Sequence, residues 1–389
     1  MTACPYCFTQ LASNQFAYRC TSGRCPATAI PEASEHAGYP VLSTPGWVVE
    51  GQSTICINCN HPCTQEVCLS CRRDIPTGWR NGQTLTVAVT GARGVGKSVW
   101  IGVMINTLER FLSARGAFMK PLTNEIKATF ELNYKRPMYD ENGVLRPTPP
   151  LTDNEAFQRE PMIWPLGGMV PGQDVYLVIR DMAGEDLQNA TQRATKYNYL
   201  GKADLTLFLF DPFMVPGFLD LVQGRITADK GRFGAPAREV LPNLLEQYAG
   251  DGGKLGLVVS KFDAVQELVN VNTSYARVFA NPATLMRRDN TFRPGPGAGQ
   301  ELIPREQFEL ELEFLNLEVI SLLGMFQEGQ ITAIAENARA ANRVSRVRHF
   351  AVSALGETPK HANRLTVRGI SPFRVLDPLL WEFAERRYF

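Results

Sequence analysis

The run Gly91-Ala92-Arg93-Gly94-Val95-Gly96-Lys97-Ser98 sets glycines, a lysine and a hydroxyl at the spacing that holds phosphate. Its glycines let the backbone curl so that successive N–H groups face phosphate oxygens. Lys97 sets a charge against the β and γ phosphates, and the Ser98 hydroxyl suits Mg2+. Val99 opens the next apolar run, at helical spacing to Leu108, and that helix offers its positive end to the same anion. Arg93, inside the loop, either reaches phosphate or a partner or is simply solvated. Before the loop, Leu85-Thr-Val-Ala-Val-Thr90 reads as a strand, so the motif has a strand before it and a helix after.

Three further strand ends carry chemistry. Asp174–Arg180 reads as a buried strand leading into Asp181-Met-Ala-Gly184, where Asp181 can hold Mg2+ through water and the Gly184 N–H can sense a terminal phosphate. Lys254–Val259 ends in Ser260-Lys261-Phe262-Asp263. Asp263 can accept from guanine N1–H and the exocyclic amine, a pairing adenine cannot return, while the Lys261 stem packs over the base. Ser353-Ala354-Leu355-Gly356 follows Arg348–Val352 and offers backbone to the guanine O6.

In that order these segments resemble the TRAFAC-type P-loop GTPases, whose motifs are GxxxxGK[ST], a switch-one Thr, DxxG, [NT]KxD and SA[KL]. The resemblance covers about residues 83 to 389. It implies an α/β fold, a three-layer sandwich with a mostly parallel sheet, together with Mg2+ and GTP binding and switching on hydrolysis to GDP. Two positions depart from the pattern. Ser260 stands where Asn or Thr is usual, which bears on affinity more than on base choice. Glu185 stands where a water-orienting Gln is common; as a catalytic residue it would orient or deprotonate the attacking water, while its charge near a γ-phosphate implies slow hydrolysis. For switch one, Thr123, Thr129, Thr148 and Thr152 are candidates. Thr148 is favoured as catalytic and Mg2+-binding because flanking prolines suit an extended, ordered loop, although Arg146–Pro150 also reads as an ordinary Pro-rich surface loop.

Nine cysteines all lie in the first 71 residues. Read in sequence order, Cys4, Cys7, Cys20 and Cys25 form one four-thiolate zinc ribbon, and Cys56, Cys59, Cys68 and Cys71 a second. Cys63 and His61 fall between the second set's knuckles and read as spare surface residues, or as substitutes for a ligand. No signal peptide precedes Cys4, so zinc in a reducing cytoplasm is expected rather than disulfides. Residues 1 to 80 carry five arginines, no lysine and five acidic residues, which opposes nucleic-acid binding and leaves metal-supported folding or docking to a protein. Zinc ribbons placed before Asp-Met-Ala-Gly-Glu-Asp also look similar to bacterial double-GTPase proteins of conflict systems, which implies a second GTPase as partner.

The organisation expected is a ribbon at 1–30, a linker at 31–55, a ribbon at 56–80 and a nucleotide domain at 81–389 with insertions near 115–172, 213–236 and 266–347. The 389-residue length fits one large and one small unit. A net charge of +1 argues against a polyanion surface. The apolar stretch Ala203–Val222 is broken by Asp204, Asp211, Pro212, Pro216 and Asp220, so no membrane span is expected. Helices are expected over Pro304–Gln327, with Phe308, Leu312, Leu315, Val319 and Leu322 on one face, and around Pro372–Arg386.

Overall fold

A computed structural model describes the chain except residues 1, 26, 29–30, 32–33, 35–43, 46–47, 52–53, 146–148, 150–159, 183, 185–186, 188–198, 223–234, 249, 251, 272–273, 295–299, 360–363 and 366–368. A small antiparallel sheet is formed by β1 (Ala17–Cys20), β2 (Val48–Glu50) and β3 (Cys63–Val67), with β1 in the centre. The large sheet follows: β4 (Gln83–Gly91), β5 (Phe118–Met119), β6 (Met162–Gly167), β7 (Val175–Asp181), β8 (Leu205–Phe210), β9 (Gly252–Val259) and β10 (Val344–Ala351). Its spatial order is β10-β9-β8-β4-β7-β6-β5. The five strands from β10 to β7 run parallel, and β6 and β5 pair antiparallel at one edge.

Its central strands are β-branched or apolar along almost their whole length, and β8 is buried at every position. Such strands need cover on both faces, which is why this sheet is parallel and layered by helices. The helices include α1 (Lys97–Ala114), α2 (Asn124–Phe130), α3 (Ala237–Leu245), α4 (Arg305–Met325), α5 (Gly329–Ala340) and α6 (Asp377–Glu385). In α4 the expected stripe Phe308, Leu312, Leu315, Val319 and Leu322 is buried as core, while Leu310, Phe314 and Leu317 stay more than half exposed. The closing helix α6 is shorter than expected because it starts only at Asp377, whose carboxylate is tied to the Arg374 guanidinium. It is buried against the sheet, with Lys254 of β9 bound to Glu382 and Glu385.

His349 of β10 joins three elements: its Nδ1 lies 3.0 Å from Asn316 Oδ1 on α4, and its Nε2 lies 3.0 Å from Thr332 Oγ1 on α5. Burial pulls its pKa from 6.5 down to about 4. A depressed histidine favours folding above its unfolded pKa and loses that stability as pH falls toward the folded value. Stability should therefore drop between pH 6.5 and 4, by about 3 kcal/mol at most from this group. His349→Gln should flatten that part of a urea-midpoint-versus-pH curve; an unchanged slope would assign the acid sensitivity elsewhere.

Candidate functional site

In an open parallel sheet the carboxyl ends of the strands line one crevice, and here β4, β7, β8, β9 and β10 bring their terminal residues to the same edge. The β4 strand ends at Gly91, and the loop from Ala92 to Gly96 leads into α1. Gly91 has φ 137°, and a Cβ there would lie 2.0 Å from the Leu209 carbonyl oxygen of β8, so only glycine fits this turn. Gly91→Ala should displace the loop and abolish nucleotide binding; unimpaired binding would show that the loop's path is immaterial. Gly94 and Gly96 also take positive φ, while Val95 is buried and Arg93 exposed.

Lys97 opens α1 and turns back over the loop, donating to the carbonyls of Gly91 (3.1 Å) and Ala92 (2.8 Å). Its ammonium is thereby held at the mouth of the curled backbone, where an anion would sit. Next to it Ser98 Oγ donates to Asp181 Oδ2 at 3.0 Å. These are two hard oxygen donors, at the end of β7 and the start of α1, of the kind Mg2+ takes beside water and phosphate oxygens. Gly184 is seated on the loop itself: a Cβ would fall 2.4 Å from the Arg93 nitrogen. The Gly91–Ser98 loop and the Asp181–Gly184 segment therefore lie in contact. Thr148 and Glu185 lie outside the described residues.

At the other end of the crevice Lys261 adopts φ 49°, a left-handed conformation unusual for a side-chain-bearing residue. It aims the ammonium at the Gly94 carbonyl (3.0 Å) and at the Asp211 carboxylate. Asp263 accepts from Ser353 Oγ (2.6 Å) and Thr358 Oγ1 (2.9 Å), one hydroxyl on each oxygen. Burial raises its pKa, and those hydroxyls and Lys261 oppose the shift. An ionised carboxylate keeps further lone pairs for two more donors, as a guanine edge would supply. Ser353 Oγ also accepts from the Gly356 N–H, while Ala354 and Leu355 are half-buried beside it. Ser260, the departure from the usual amide, gives its hydroxyl to the Phe210 carbonyl at 2.9 Å and so fastens β9 to β8.

Asp211 and Thr358 were not among the residues expected. Asp211 ends β8, is buried, and anchors Lys261; an aspartate closing the apolar run from Leu205 to Phe210 was its signal. Thr358 had none beyond lying five residues after Ser353.

The cysteines group differently from their sequence order. Cys4, Cys7, Cys68 and Cys71 converge in one tetrad, and Cys20, Cys25, Cys56 and Cys59 in the other. The expected sets Cys4/Cys7/Cys20/Cys25 and Cys56/Cys59/Cys68/Cys71 are not brought together. The reason is the small sheet: β1 separates Cys7 from Cys20, and β3 lies between Cys59 and Cys68. Five extended residues span about 16 Å, too far for ligands at both ends to share an ion. The two halves are thus interleaved.

All nine cysteines are free thiols. Two sulfur pairs in each tetrad stand 3.4 to 3.7 Å apart, and all four sulfurs of each lie within 4.8 Å of one another. A tetrahedron with metal–sulfur bonds of 2.3 Å has an edge of about 3.8 Å, so both tetrads could hold zinc. Three knuckles repeat one turn, in which the residue after the second cysteine is left-handed: Phe8, Asn60 and Arg72. Cys63 belongs to neither tetrad. It is not a surface residue either, being buried opposite Cys20 in the β1–β3 pairing. His61 is half-buried, with Nδ1 2.8 Å from the Cys59 carbonyl.

The tetrads also differ in setting. The Cys4 tetrad is continuous with the core of the large sheet, whereas the Cys20 tetrad forms a separate cluster. Around the first knuckle the Ala3 N–H donates to Thr84 Oγ1 of β4 (2.8 Å), and Arg180 of β7 donates to the Tyr6 carbonyl (2.7 Å). Buried Arg180 also lies 4.1 Å over the Tyr199 ring, against which Phe8 packs edge-on. It is therefore part of this junction.

A mostly parallel seven-stranded sheet with a phosphate-type loop on its central strand defines an α/β fold of the P-loop GTPase kind, preceded by a cysteine-rich module. Over 395 residues the chain is 33% identical to a protein of Mycolicibacterium smegmatis named "Putative ESX-1 scaffolding and assembly protein SaeC", covering 98% of each. The chain belongs to the SaeC family. No family model matches it. Among solved structures it is similar to the septin GTPase domain from Chlamydomonas reinhardtii, with 15% identity, 59% of this chain and 69% of that one covered, and a TM-score of 0.22. No described helix is long and apolar enough to cross a membrane.

Proposed function

We propose that this chain is a guanine-nucleotide switch that serves a protein assembly. The observation that carries the reading is the convergence of Lys97, Ser98, Asp181, Lys261 and Asp263 on one sheet edge, from the start of α1, the end of β7 and the turn after β9. Phosphates would lie on the N–H groups of the Gly91–Val99 loop, with Lys97 over the β and γ oxygens. Mg2+ would be held by Ser98 and, through water, by Asp181, and would neutralise charge on the same oxygens. Asp263 would read the guanine edge, with Lys261 packed over the base and Ser353 to Leu355 beneath its O6.

Hydrolysis to GDP and phosphate is proposed as slow. The residue after Gly184 is Glu185, and a carboxylate is a poor neighbour for the charge of the terminal phosphate. Thr148 is the proposed switch-one threonine. Single-turnover phosphate release from GTP-loaded protein tests this: release over many minutes is expected, and turnover within seconds would overturn it. The relative's name supports a second reading, in which nucleotide is bound but not cleaved and the chain acts as a scaffold. Complete retention of GTP in the same experiment would select that reading.

Zinc in both tetrads is proposed to build the module that meets a protein partner. A second GTPase is the narrower form of that proposal. We place the chain in the cytoplasm because eight thiolates in two metal sites need a reducing compartment.

A further inference from the structure

Between α1 and β7, in the stretch where switch one is expected, the chain forms α2 and then a ten-residue π-helix, Glu131–Asp140, that contains Pro137. Wide turns of this kind are uncommon and concentrate at functional sites. This one lies against α1 because Gly102 has no side chain: a Cβ there would stand 2.2 Å from Met138 Cε and 3.3 Å from Tyr134 Cβ. Tyr134 is fully buried in this contact. Its ring stacks on Phe130, with centroids 5.6 Å apart and planes at 16°, and Phe130 meets Trp164 of β6 edge-on. The phenol is therefore fixed in place, and its Oη lies 3.4 Å from Asp181 Oδ2, the oxygen that also accepts from Ser98.

We propose that Tyr134 is a positioning residue for the metal end of the nucleotide site, holding the Asp181 carboxylate in the orientation that Mg2+ and Ser98 require. This rests on the nucleotide-binding reading above. The phenol hydroxyl is the donor in this contact and the Asp181 carboxylate the acceptor. A purely packing role would need only the ring. Phenylalanine would fill the same space between Phe130 and Gly102 without placing a hydroxyl against a buried carboxylate. With two hydroxyls on Oδ2, the rotamer of Asp181 is set before the ion arrives. Outer partners of this kind typically alter metal affinity by about 10- to 100-fold when removed.

The test is Tyr134→Phe in the full chain, with a fluorescent GTP analogue titrated across Mg2+ concentrations and again in EDTA, alongside thermal melting. The Mg2+ concentration for half-maximal binding should rise about tenfold, while affinity in EDTA and the melting temperature stay at wild-type values. An unchanged Mg2+ requirement overturns the assignment and leaves nucleotide binding standing. An equal loss with and without Mg2+ makes Tyr134 a packing residue and also overturns it. A wild-type chain that binds no guanine nucleotide overturns both this inference and the reading on which it rests.

Discussion

Replacing Cys4 or Cys71 by serine should strongly destabilise the large sheet, whereas Cys25→Ser or Cys56→Ser should leave that sheet intact. Sequence order alone gives no such asymmetry; it comes from where each tetrad sits. Cys4, Cys7, Cys68 and Cys71 are each at most 1% exposed and share a core with β4 and β7. Losing their metal would strand four buried sulfurs and free the knuckle that holds Thr84, Arg180 and Tyr199. Metal-supported folding energies are large, so a loss on the order of 5 kcal/mol or more is expected. For a domain of this size that lowers the melting temperature by about 10 °C or more. Among the described residues the Cys20 tetrad lies in a cluster separate from the core of the large sheet, so its loss should be local. Melting curves of the four variants, read beside zinc content, check this. Equal destabilisation by both pairs would mean that the two sites form one cooperative unit.

Lys97→Ala should abolish nucleotide binding with a smaller effect on folding. Lys97 closes the loop by donating to Gly91 and Ala92, and in the proposed site it would also supply the charge opposite the phosphates. Removing a charge-assisted contact to a multiply charged ligand in a buried site costs about 3 kcal/mol, or on the order of 100-fold in affinity. Because the side chain is buried, truncation also leaves space, and Lys97→Met controls for that by keeping the stem. Both variants should lose binding in calorimetry while still melting cooperatively. Retained binding in Lys97→Met would put the phosphates somewhere other than this loop.

The strand ends were legible because each candidate residue closes an apolar run: Gly91 and Asp181 end strands, and Ser260 and Ser353 follow strands, whose burial is written in their composition. The helix stripe ending at Leu322 was legible for the same reason. What escaped was set by tertiary crossing. Cys20 and Cys68 lie far from their nearest neighbouring knuckles in space because β1 and β3 intervene, and two- to four-residue strands such as β1 leave little trace in a sequence. Tyr134 escaped because its approach to Asp181 depends on a π-helix and on the bare surface of Gly102, neither of which has a periodic signature. Asp211 could have been found by asking what ends the Leu205–Phe210 strand, and Cys63 by noting that it begins one.

The central claim is that this sheet edge binds guanine nucleotides through Asp263. Titrating GTP, GDP and ATP into the wild-type chain and Asp263→Asn, with Mg2+ present, tests it most directly. Binding of GTP and GDP, no comparable binding of ATP, and loss of the guanine preference in the variant are expected. Equal binding of ATP by the wild-type chain, or binding of none of the three, would contradict it.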